Sequence, residues 1–146
     1  MEWDRDKSLL LSRVCVWLFA GALAALCAGA PWLWPWLVGR PEGAAWYMAV
    51  TYITAVPAAV VLYGLHRLLQ NLSAGKVFIA GNVRWLRVLS WCCIAAGLVY
   101  LAGALAGNLV LWVLAAAAAF VGLMLRVVKN VFAQAVALKE ENDYTI

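Results

Sequence analysis

A chain of 146 residues that is 67% apolar and only 12% charged falls outside the composition of water-soluble domains, in which about a quarter of residues are charged. Its net charge of +4 is spread over three segments beside apolar runs and does not form the basic stripe that nucleic acid binding requires. Four cysteines without a C-x-x-C pair, and a single histidine, give no metal-ligand spacing.

Crossing about 30 Å of hydrocarbon takes roughly 20 helical residues. Four apolar runs reach that length, at residues 9–37, 44–65, 88–106 and 109–128. Peptide groups in oil must bond within their own segment, and the period-two alternation of barrel strands is absent. The expectation is an all-α fold, a single domain forming a four-helix transmembrane bundle.

The first run carries Pro31 and Pro35 late in its length. Ala28-Gly29-Ala30 has the small-residue pattern of a cleavage site, but Pro31 follows directly and the apolar run before it is too long for a signal peptide, so the run is expected to stay. Gly21, Ala25 and Gly29 recur four apart and predict a helix contact stripe. In the second run Pro57 removes one helical hydrogen bond and predicts a bend over residues 53–57. Thr54 is expected to bond carbonyls freed by Pro57 or, with Pro57, to mark a small-ligand site. Leu65, Leu68, Leu69 and Leu72 continue the helix past the membrane, and Gly75 sits where a helix-ending glycine belongs.

Within the loop at residues 66–87, Asn82 reads as the N-cap of the third helix. Arg84 and Arg87 follow on one face of its first turns, where the helix dipole favours anions, so something negative should compensate them. Anionic lipid is one candidate, at about 1 kcal/mol per basic side chain. Cys93 with Gly97 on the third helix, and Ala118 with Gly122 on the fourth, predict close contact; the cysteines read as packing residues. Beyond the fourth span Met124, Val128, Val131, Ala135 and Leu138 predict a helical extension whose apolar stripe needs a partner surface. The tail at residues 129–146 carries Glu140, Glu141 and Asp143. Either this extension packs on the continuation of the second helix and brings those carboxylates to Lys76, Arg84 and Arg87, or the tail is solvated.

Lys and Arg set the expected orientation. Arg5, Lys7 and Arg13, then Arg67, Lys76, Arg84 and Arg87, then Arg126, Lys129 and Lys139 fall on one side of four spans, and Arg40 alone on the other. The positive-inside rule places both termini and the middle loop on the cytoplasmic side of the membrane. Trp32, Trp34, Trp36, Trp46 and Trp112 then form an outer aromatic belt, and Trp17, Trp85 and Trp91 an inner one. No Asp or Glu lies within a span, so the groups that membrane enzymes and proton-coupled carriers need are missing. No enzymatic activity and no cofactor are expected.

Asp6-Lys7-Ser8-Leu9, the loop stretches from Asn71 to Phe78 and from Asn82 to Arg87, Arg126 to Phe132, and the ending Glu141-Asn142-Asp143-Tyr144-Thr145-Ile146 resemble an uncharacterised bacterial family of small four-helix membrane proteins. That family carries only a domain-of-unknown-function label. The resemblance covers nearly the whole chain and implies a Firmicutes-type host and a gene beside a Cro/C1-type helix-turn-helix regulator. It implies no reaction. The function expected is a regulatory or sensory membrane partner whose face of Lys76, Arg84, Arg87, Arg126, Lys129, Glu140, Glu141 and Asp143 meets a cytoplasmic protein or lipid. The alternative is a small-molecule or peptide carrier or immunity protein with its site near Thr54 and Pro57.

Overall fold

A computed structural model describes residues 2–145, with side chains from Asp4 to Thr145. Four helices account for nearly all of it: α1 (Glu2–Val38), α2 (Pro41–Ser73), α3 (Ala80–Ala104) and α4 (Leu109–Tyr144). Each contains an 18-residue window of mean hydropathy between 1.7 and 2.2 and is long and apolar enough to cross a membrane. At about 1.5 Å per residue, α2 with 33 residues and α4 with 36 exceed a 30 Å hydrocarbon layer by roughly 20 Å each. Both overhangs belong to the end that also holds the start of α1 and the start of α3. That end carries most of the Lys and Arg and is called the basic end below.

The helix boundaries follow from local chemistry. α1 runs through Pro31 and Pro35 and stops at Gly39, whose φ of 68° is a left-handed conformation that only glycine adopts at low cost. Arg40 is extended and Pro41 opens α2, where its missing N–H removes no helical bond. The end of α2 is a Schellman motif: Gly75, at φ 74°, donates to the Leu72 carbonyl and Lys76 donates to that of Asn71. The expected role of Gly75 is therefore borne out. α4 begins at Asn108, whose Oδ1 accepts from the Val110 N–H at 2.9 Å while its Nδ2 donates to the Tyr47 hydroxyl.

Helices pack closely, among the described residues, only with their neighbours in sequence, α1 on α2, α2 on α3 and α3 on α4. Among the described residues no backbone approach joins α1 to α4 or α2 to α4. The expected bundle is thus an open, curved row. Its concave side holds a groove of about 490 Å³ to which all four helices contribute, with Phe19, Thr54, Pro57, Tyr100 and Ala118 among its walls.

Two seams are built differently. Along α1 and α2, Arg13 donates to the Ser73 hydroxyl (2.6 Å), Tyr52 to the Cys27 carbonyl (2.9 Å) and Trp34 to the Thr51 hydroxyl (3.0 Å). The α1 residues turned to this seam are Ala20, Leu23, Cys27, Ala30 and Trp34. Gly21 and Gly29 have open space where a side chain would be, so the predicted glycine stripe is not the contact. Long side chains do the bonding here, and bulk at the contact is tolerated. Between α3 and α4 the predicted small residues do meet. Gly97 faces the Ala115 carbonyl and Ala118, Gly122 faces Cys93 and Ile94, and Ser90 donates to the Gly122 carbonyl at 2.9 Å.

Candidate functional site

The connection between α2 and α3 is fixed by one buried side chain. Asn82 is fully buried and lies in the first turn of α3, while the N-cap position belongs to Ile79. Its Nδ2 donates to the Lys76 and Val77 carbonyls at 2.9 and 2.8 Å, and its Oδ1 accepts from Asn71 at 2.7 Å. The reading of Asn82 as a cap is corrected: its amide is spent on loop carbonyls that would otherwise be buried without partners. Phe78, in this connection, then meets Phe132 of the α4 overhang with ring centroids 5.6 Å apart.

That contact shows which side of the overhang is covered. Leu125, Lys129, Phe132 and Val136 are partly buried, as is Ala135 at the edge of the expected stripe, whereas Met124, Val128, Val131 and Leu138 are exposed. The covered stripe is displaced by one residue, about 100° around the helix, from the expected one. α4 does not reach α2, and among the described residues no ion pair links Glu140, Glu141 or Asp143 to Lys76, Arg84 or Arg87. The three carboxylates are exposed, about 12 Å or more along the helix beyond Phe132. Lys76 and Arg84 are likewise exposed and stand apart.

Three of the expected cations do converge. The close α3–α4 seam sets Ser90 opposite Gly122, and in antiparallel helices Arg87 then comes level with Arg126. Arg87, Ser90, Trp91, Arg126 and Lys129 line a cavity of about 250 Å³, with no carboxylate among its walls from the described residues. The Arg126 guanidinium carbon lies 5.3 Å from the Trp91 ring centroid, within cation–π range. Three like charges around one small space repel one another, so the arrangement favours an anion. Ser90 and Trp91 were missed as members of this site; Trp91 falls one turn after Arg87 on the same face of α3, which is the signal that was available.

Thr54 is buried, and its hydroxyl lies 2.8 Å from the Val50 carbonyl and 3.1 Å from that of Thr51. The carbonyl freed by Pro57 is that of Ile53, four residues back, so Thr54 bonds its own helix elsewhere. Thr54 and Pro57 both line the concave groove. Among the described residues no three His, Cys, Asp or Glu side chains gather where a metal ion could be held.

Four long apolar helices joined by short turns, with charge concentrated at one end, define a multi-pass membrane protein. The chain belongs to the DUF2975 family, proteins of unknown function, whose profile matches residues 17–146. Comparison with curated proteins and with solved structures finds no match.

Proposed function

We propose that this is a non-enzymatic regulatory membrane protein whose basic end lies in the cytoplasm and whose α4 overhang docks a cytoplasmic protein. The orientation rests on the Lys and Arg asymmetry. The docking surface rests on one observation: on a helix braced from its other side by Phe78, Val131 and Leu138 remain 58% and 66% exposed. They stand beyond the span, next to Glu140, Glu141 and Asp143. An apolar stripe with an acidic end matches helix-in-groove recognition by a partner with a basic rim. The resemblance noted above makes a helix-turn-helix regulator the first partner to test. Co-purification of that regulator with the full chain is expected, and the Val131→Glu, Leu138→Glu double variant is expected to lose it while still inserting in the membrane. Absence of binding both in detergent and in cells overturns the proposal.

The concave groove supports a second reading, a carrier or immunity protein for a small apolar molecule. Its volume of about 490 Å³ and its walls from all four helices fit the pockets that drug-sized ligands occupy. Filling it with Ala58→Trp would then abolish a resistance phenotype that the Val131→Glu, Leu138→Glu variant keeps. An unchanged phenotype removes this reading.

A further inference from the structure

The convex face of α3 carries two apolar grooves that run away from the cationic cavity, one on each side of the helix. The first, of about 910 Å³, lies between α2 and α3, with Ile53, Val56, Val60 and Val99 in its walls, and it shares Arg87 and Trp91 with the cavity. The second, of about 470 Å³, lies between α3 and α4, with Leu98, Leu101, Trp112 and Leu123 in its walls, and it shares Arg126. Trp91, 57% exposed, stands on the ridge between them at the cavity. From Arg87 to Val99 is about 18 Å of helix, and from Arg126 to Trp112 about 21 Å. One leaflet of hydrocarbon is about 15 Å deep, so each groove has the length of a lipid tail.

We propose that these three spaces form one binding site for an anionic diacyl phospholipid that straddles α3, with its phosphate between Arg87, Arg126 and Lys129 and one acyl chain in each groove. The charge complementarity is direct: three donors of positive charge line the cavity and, among the described residues, no carboxylate does, so a phosphodiester relieves their mutual repulsion and accepts hydrogen bonds from the two guanidinium groups. Basic pockets between membrane helices take lipid headgroups for this reason. A free anion or an acidic peptide would use the cavity alone and leave both grooves to unspecific contact. Only a molecule with two tails on one charged head fills all three spaces. The Trp91 ring, 5.3 Å from the Arg126 guanidinium carbon, lines the cavity beside it, and the tight seam at Gly122 holds the two arginine-bearing helices in register. This site is independent of the docking surface on the α4 overhang.

The test is native mass spectrometry of the purified full-length chain, titrated with phosphatidylglycerol or phosphatidylcholine carrying identical chains. One phosphatidylglycerol per chain is expected to bind at least about tenfold more tightly than phosphatidylcholine, because three basic groups meet its phosphate. Arg87→Gln, Arg126→Gln and Lys129→Gln combined are expected to erase the preference, whereas Arg40→Gln keeps it. Ala116→Trp with Val56→Trp, which block the grooves and leave the cations, are expected to weaken phosphatidylglycerol binding as well. Inorganic phosphate in equal amount is expected not to displace the lipid. Equal binding of the two lipids to the unaltered chain overturns the proposal whether or not any variant folds, and displacement by inorganic phosphate overturns it by showing a site for soluble anions.

Discussion

The α1–α2 seam and the α3–α4 seam join equally apolar helices by opposite means. Helices in lipid gain nothing from expelling water, so they associate through close packing and through hydrogen bonds. α3 and α4 use the first: glycines at 97 and 122 let the backbones approach until a carbonyl and a serine hydroxyl meet directly. α1 and α2 use the second, through Arg13, Tyr52 and Trp34, side chains long enough to bridge a wider gap. A short-range seam fixes register closely, and it is this seam that aligns Arg87 with Arg126. The wider seam leaves α1 as the most exposed helix, with no fully buried residue in its apolar window.

The largest effect that would break this contrast is Gly122→Leu. A Cβ there would stand 3.3 Å from Ile94 and 3.4 Å from Cys93, so a full leucine must part the helices at a cost of about 3 kcal/mol. Reversible unfolding in detergent should show that loss, together with loss of the preference for anionic lipid, because Arg87 and Arg126 separate. Next is Asn82→Leu, which leaves the Lys76 and Val77 carbonyls and the Asn71 amide unpaired; about 2–3 kcal/mol of destabilisation is expected by the same measurement. Tyr52→Phe and Trp34→Phe each remove one hydrogen bond from the wide seam. Each should cost about 0.6 kcal/mol, with the two helices still paired in a cysteine cross-linking assay. The smallest change expected is Gly21→Leu, within about 0.5 kcal/mol of the original chain, because nothing stands within 4 Å of that position. The same substitution thus separates a glycine within a helix contact from one that faces open space: severe at residue 122, nearly silent at residue 21.

What could be read from the chain was decided within single segments. Run length and hydropathy gave the four helices, and Gly75 gave the end of α2, because both depend on neighbouring residues alone. The spans at 44–65 and 109–128 sit inside α2 and α4, and the leucine and valine periodicities correctly extended both helices beyond them. Relations between segments were not legible. Gly21, Ala25 and Gly29 recur at the same spacing of four as Cys93 with Gly97, yet the glycines of the first set face open space and Gly97 faces a helix. The spacing cannot say which side of a helix has a neighbour. Asn82 precedes an apolar run as an N-cap would, but its amide serves carbonyls in the connection before it. Arg87, Arg126 and Lys129 were each visible as cations, while their convergence depends on the α3–α4 register. The acidic tail was drawn to the loop by charge and by an apolar stripe in want of a partner, and the helix that carries it meets Phe78 through Phe132 on a path that keeps the tail away.

Reporter fusions placed after Gly39, after Gly75 and at the C-terminus test the central claim most directly, by comparing a cytoplasm-only fluorescent protein with an export-only phosphatase at each point. Four crossings with the basic end inside predict fluorescence at Gly75 and at the C-terminus and phosphatase activity at Gly39 alone. Phosphatase activity at the C-terminus, or fluorescence at all three points, contradicts the account.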